Sequence, residues 1–214
     1  MLCHPTLPDI RHAGTAAVFV SHWYVPDRTA ALKDLDEVTA EWETTEWPAD
    51  ILSFSSYLST SGNTVLTYAQ CASGAAYRPF TRALAGPASA EAVEYRLHRS
   101  FVPDGATTEP PGCMVAATFD TDGPLCQRHV IEQIIGTVGR EGPRAKDGLL
   151  ATHFHTSVDG TRVLNYAEWT TDEAHETFLR DACSGRARAS YEAIPGVRPI
   201  GYTRYHLHHS AVRP

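Results

Sequence analysis

Residues 149–169 read LLATHFHTSVDGTRVLNYAEW, two runs rich in β-branched and aromatic residues on either side of Val158-Asp159-Gly160. Asp-Gly between such runs is a hairpin signal. The pattern has an earlier copy. Residues 51–71 read ILSFSSYLSTSGNTVLTYAQC and align with it, without gaps, at a constant offset of 98. Gly62/Gly160, Val65/Val163, Leu66/Leu164, Tyr68/Tyr166 and Ala69/Ala167 are identical, and Ala76/Ala174, Phe80/Phe178 and Arg82/Arg180 continue the match. Eight identities between residues 62–82 and 160–180 mark a duplication, so the chain is read as two copies of one unit.

Outward from each hairpin, the flanking elements repeat as well. Ala17–Val25 reads as a strand. Pro26-Asp27 opens a helix to about Trp47, with Leu32, Leu35, Val38 and Trp42 at helical spacing and Pro48 ending it. Strands at 51–59 and 64–71 flank Ser61-Gly62-Asn63. A helix over 73–84 follows with Ser73 as its N-cap, and Val93–Phe101 is the last strand. Val102–Gly112 (VPDGATTEPPG) is a linker. The order then restarts with a strand at Cys113–Asp120. A helix carries Val130, Ile131, Ile134, Ile135 and Val138 and stops at Gly142-Pro143. The hairpin strands are 149–157 and 162–169. Thr170 and Glu173, at capping-box spacing, open a helix to about Ala182. A short helix spans 185–193 and a final strand about 200–209.

Each half thus reads βαββαβ, the ferredoxin-like order. One unit leaves a sheet face apolar and uncovered, and a second copy covers it. The expected fold is α+β: two tandem ferredoxin-like repeats packed sheet to sheet as an intramolecular barrel. The expected organisation is a flexible arm (1–14), a first repeat (15–101), a linker (102–112) and a second repeat (113–209). Two separate domains on a linker are the alternative.

The composition narrows the function. A formal charge of −7 without a basic stripe argues against nucleic acid. No apolar run reaches membrane length, and residues 1–12 lack the apolar core of a signal peptide. Five cysteines, none in a CxxC pair, suit a reducing cytoplasm better than a disulfide framework or a zinc site. GxSxG and GxGxxG motifs are absent. His206 and His208 share a strand face with Tyr202 and Arg204, and with His209 they could take up metal only adventitiously.

Along the second hairpin strand, Val163, Asn165, Ala167 and Trp169 share one face, and Leu164, Tyr166 and Glu168 the other. Asn165 and Trp169 lie roughly 13 Å apart along a strand. They could frame a flat pocket with Ala167 leaving room between them. In the first copy Thr67 and Cys71 stand at these positions while the neighbours match. The scaffold residues repeat and the polar–aromatic pair does not, which places function in the second copy. His153 and His155 share a strand face, His175 follows in the next helix, and Arg180, Arg186 and Arg188 form a basic group that could stabilise an anionic substrate.

The stretch 149–169, with the strand and helix before it, resembles the antibiotic biosynthesis monooxygenase family. These are small dimeric α+β barrel proteins of aromatic polyketide pathways. The nearest likeness is to the quinone-forming, cofactor-independent members that act on anthrone-type substrates. The motif covers residues 113–208, and residues 15–101 resemble the same fold without its Asn and Trp. The resemblance implies catalytic roles for Asn165 and Trp169. It puts His175 where the family has a Tyr, and a family Arg at Arg186 or Arg188. The implied set is catalytic Asn165, Trp169, His175 and Arg188, with substrate-binding His153, His155, Tyr166, Ala167, Phe178 and Arg186. No cofactor and no metal are expected. The expected partners are an aromatic polyketide and dioxygen, with a homodimer of the fused chain possible. A non-catalytic polyketide-binding or cyclisation accessory protein is the alternative, and a haem-degrading monooxygenase a third reading.

Overall fold

A computed structural model describes residues 2–3, 7–107, 109–141, 147–180 and 182–213, the side chains of 2, 3, 141, 182–184, 186 and 187 excepted. The chain divides into two compact units, Met1–Arg96 with Tyr205–Pro214, and Leu97–Arg204. The elements are β1 (Leu2–Cys3), β2 (Ala17–Tyr24), α1 (Arg28–Thr44), β3 (Ile51–Ser59), β4 (Thr64–Cys71), α2 (Tyr77–Ala83) and β5 (Val93–Phe101). They continue with β6 (Cys113–Thr121), α3 (Pro124–Glu141), β7 (Leu149–Ser157), β8 (Arg162–Trp169), α4 (Asp172–Arg180), α5 (Ala182–Glu192) and β9 (Val197–Val212). A short 3-10 turn, Gly86–Ser89, precedes β5.

In the first unit the strand order is β1-β9-β3-β4-β2-β5. β3 and β4 form the expected hairpin, Leu58 opposite Val65 and Phe54 opposite Ala69. Its turn needs Gly62, whose φ of +77° an L side chain rarely adopts. Every residue of β4 is buried, because strands flank it on both sides. The Asp27 carboxylate caps α1 by accepting from Ala30 N at 2.9 Å. Ala31, Leu35, Val38 and Trp42 form the buried stripe of α1, with Leu32 only partly covered. Leu2–Cys3, placed by the sequence in a flexible arm, pairs with Ala211–Val212, and Ile10 is buried.

In the second unit the order is β5-β7-β8-β6-β9. β8 runs antiparallel to both β7 and β6. The unit boundaries fall inside β5 and β9. Tyr205–Val212 belongs to the first unit because it pairs with Ser53–Ser59 of β3. α3 buries Val130, Ile131, Ile134 and Ile135 against Phe119, Phe154 and Val163, as its spacing predicts. The Gly142-Pro143 stop lies outside the described residues.

Two helix starts differ from expectation. α2 begins at Tyr77 with no side-chain cap, since Ser73 Oγ accepts from Ala75 N in the preceding turn. For α4 the capping hydroxyl is that of Thr171, accepting from Ala174 N at 3.1 Å, not that of Thr170. β9 extends past the expected strand at both ends.

Candidate active site

The two units differ in what fills the space between sheet and helices. In the first, aromatic rings fill it. Trp42 stacks on Phe54 at 3.9 Å, Phe19 on Tyr77 at 3.9 Å, and Phe80 meets Trp42 edge-on at 5.1 Å. Cys71 is buried in the same cluster, and Thr67 is buried on the same strand. At the offset of 98, Phe54, Thr67, Cys71 and Tyr77 become Thr152, Asn165, Trp169 and His175. All four of these line a cavity of about 150 Å³ in the second unit.

The cavity is lined by the aromatic rings of Phe119, Phe154, Phe178 and Trp169, by small side chains at Ala117 and Ala167, and by Tyr191 and Tyr202. Of these Tyr202 is 52% exposed and stands at the rim. A cavity of about 150 Å³ takes a benzene-sized ligand, and drug-sized ligands use about 300–1,000 Å³. The enclosed part therefore suits one ring of a flat molecule, with the remainder toward Tyr202.

The strand arrangement brings together five of the residues singled out by sequence: Asn165, Ala167, Trp169, His175 and Phe178 all line the cavity. It does not bring His153, His155 or Tyr166 there. Asn165 pairs with Phe154, so the cavity face of β7 carries Phe154 and Thr152, and His153 and His155, which alternate with them, point to the other face. On that face His153 Nδ1 lies 2.8 Å from Ser100 Oγ and its Nε2 3.5 Å from Glu168. His155 is fully buried, and burial followed by the neighbouring His153 pushes its pKa down to about 3. A substrate-binding place for these three in the cavity is thus corrected by the register. The hairpin turn itself was the signal, since it fixes 165 opposite 154. A β-bulge between Leu149 and Ala151 lets Leu149 share the cavity with Thr152.

Arg188 is exposed on α5, ion-paired with Glu192 at 2.7 Å, and is not among the lining residues. The Arg186 side chain lies outside the described residues. His208 and His209 face Asp36 and Glu43 of α1 at 3.3 and 3.7 Å. Among the described residues no group of three or more His, Cys, Asp or Glu is placed to hold a metal.

Three polar groups define the chemistry. The Thr152 hydroxyl donates to Asn165 Oδ1, which leaves the Nδ2 donors as that amide's contribution. Trp169 Nε1 and His175 Nδ1 are buried without a hydrogen-bond partner, although Trp169 is 3% and His175 4% exposed. Such orphans cost roughly 1–3 kcal/mol each, and a ligand oxygen in the cavity would relieve them. The His175 ring lies 5.1 Å from that of Trp169 and 5.3 Å from that of Tyr202. Burial, then the Arg204 guanidinium, pushes the His175 pKa down to about 4, against a smaller upward pull from Asp172. The imidazole is therefore neutral near pH 7. Sequence reading missed Thr152, Tyr191 and Tyr202 as lining residues. Thr152 was recoverable from the register, but the two tyrosines come from distant segments.

No protein-family model and no curated protein sequence matches the chain. Among solved structures it is similar to an anthrone oxidase-like protein, with a TM-score of 0.72 and 13% identity over 92% of this chain and 93% of that one. A candidate monooxygenase of Fusobacterium nucleatum gives 0.55 and 10% over 93% and 95%. The ActVA-Orf6 monooxygenase of Streptomyces coelicolor, solved with nanaomycin D, gives 0.40 and 31%, over 49% of this chain and 93% of that one. The first likeness shows the fold, the ferredoxin-like α+β class expected from the sequence. No described helix is long and apolar enough to cross a membrane. The chain has the ferredoxin-like fold of monooxygenase-like proteins.

Proposed function

We propose that the chain is a fused two-repeat protein of the antibiotic biosynthesis monooxygenase type. Its second repeat oxidises a phenolic or anthrone-type aromatic polyketide to a quinone with dioxygen, the substrate supplying all the electrons. One observation carries the reading. An aromatic-walled cavity presents the Asn165 amide, and both Trp169 Nε1 and His175 Nδ1 are buried there without partners.

The reaction balances without a further reductant. A ring CH₂ and O₂ give a ring C=O and H₂O. Loss of a proton makes the ring an electron-rich anion, which passes electrons to O₂. A C–O bond then forms at the same carbon, and the O–O bond breaks as the second ring hydrogen leaves. One oxygen atom stays as the carbonyl and the other departs as water. The walls hold the ring flat and exclude water. Asn165 Nδ2 and Trp169 Nε1 donate to the oxygens on which charge develops. In the empty cavity His175 is a weak base. It accepts the substrate proton when the anion left behind pairs with the imidazolium.

The test is oxygen consumption by metal-free, flavin-free protein with anthrone and naphthol substrates. Asn165→Ala is expected to slow uptake about 100-fold, the usual cost of one lost oxyanion donor, and Trp169→Phe to slow it as well. Uptake undiminished in both variants refutes the site. Tight binding of these aromatics with no oxygen consumed refutes the chemistry and favours an accessory binding role.

A further inference from the structure

Arg204 lies two residues along β9 from the rim residue Tyr202, yet its guanidinium turns away from solvent. Its side chain is 20% exposed. It reaches Glu176 at 2.7 Å and lies 4.0 Å from Asp172, both on α4. Asp172, His175 and Glu176 stand at i, i+3 and i+4, one face of that helix. His175 thus shares a helix face with two carboxylates that a single guanidinium reaches.

We propose that Arg204 is a positioning residue of this cavity. By pairing with Glu176 and lying near Asp172 it fixes the turn that aims His175 inward, and its charge adds to burial in disfavouring the imidazolium. The idea takes the cavity to be the reacting site, as proposed above, but its test reads His175 itself.

The charges around the ring are few. From β9 come Arg204 and the neutral Tyr202 ring. From α4 come Asp172 and Glu176. From β6 comes the Cys113 thiol, which burial, and then a hydrogen bond to Asp172, pushes up to about 12, so it stays uncharged. α3 gives only Ile134 and Val138 to the cavity, and α5 gives Tyr191, whose pKa burial raises. Arg204 is the cation in this set, and Arg204 Nε is buried with no hydrogen-bond partner. A guanidinium beside a buried imidazole penalises imidazolium. The consequence is a ring that offers the substrate one N–H and one lone pair near pH 7, in place of two N–H groups.

The experiment is a titration of the histidine ring signals by NMR in the full chain, with His175→Gln used to assign the His175 resonance. In the unaltered protein His175 should titrate near 4. Arg204→Gln should raise it by about one unit or more, toward the ordinary histidine value. Arg204→Lys, which keeps the charge but not the fork, should leave it low. Folding is checked by circular dichroism. If Arg204→Gln does not fold, Glu176→Gln serves, because it removes the nearer of the two carboxylates that offset the guanidinium charge and should lower the titration. The proposal is overturned if Arg204→Gln leaves His175 low, if Arg204→Lys raises it as much as Arg204→Gln, or if Glu176→Gln fails to lower it. None of these readouts needs turnover, so failure of the oxidation reading and failure of this one are distinguishable.

Discussion

Gly148 sets the position of the helix that carries His175, and replacing it with alanine is the most demanding test of that packing. The residue has φ +95°, and a Cβ on it would lie 2.5 Å from Ala174 Cβ and 2.7 Å from Thr170 Oγ1. Neither neighbour can yield easily. Thr170 N donates to Gly148 O at 2.9 Å, and Ala174 precedes His175 in α4. An L residue in that backbone conformation costs about 1–3 kcal/mol. Overpacking a filled site costs about 1–3 kcal/mol more. Gly148→Ala should therefore lose about 2–6 kcal/mol, and at about 2–4 °C per kcal/mol for a chain of this size melt roughly 4–24 °C lower. Gly105→Ala is the control. Its φ is +78° and a Cβ there meets nothing within 4 Å, so it should show the backbone cost alone. Urea unfolding of both variants isolates the clash. If the two are equally stable within about 0.5 kcal/mol, the close packing of Gly148 on α4 is refuted.

Two more expectations concern the fold. His155 and His175 have depressed folded pKa values, about 3 and about 4, against an ordinary 6.5. Between pH 6.5 and 4 the unfolded chain takes up protons that the native chain refuses. Stability is then fully present above about pH 6.5 and falls as the pH drops, on the order of 3–5 kcal/mol by about pH 4.5. Denaturant unfolding across that range checks it, and His175→Gln should flatten the slope; an unchanged slope would contradict the buried neutral imidazole. In the first unit, Trp42→Ala removes a 1% exposed ring stacked on Phe54 and should cost about 3–5 kcal/mol. A loss below about 1 kcal/mol in thermal or urea unfolding would mean that this aromatic cluster does not fill the first unit.

Much of this architecture is written locally. Gly62 and Gly160 sit at φ +77° and +81° where the turn residues place them, and the hairpin strands carry the expected bounds. Local patterning is enough there because one glycine fixes each turn and the two turns fix the register. Cap positions were harder. Thr170 and Thr171 are both competent hydroxyls, and only the bond between Thr170 N and Gly148 O decides which is free to cap. The pocket was legible along β8, where alternation gives Asn165, Ala167 and Trp169. It was not legible for His153 and His155, whose polarity suggested a site while the register turned them away. Arg204 was visible as a residue of the last strand. Its partners on α4 depend on how that strand packs against the helix, which no periodicity encodes.

The central claim is that the second-unit cavity inserts one atom of dioxygen into a flat aromatic substrate. Mass spectrometry of the product formed by the metal-free, flavin-free protein under ¹⁸O₂ tests it most directly. One ¹⁸O atom in the quinone carbonyl and the other in water is the predicted result, with labelled product formed about 100-fold more slowly by Asn165→Ala. A product bearing only oxygen from solvent, or labelled product formed at an undiminished rate by Asn165→Ala, would contradict it.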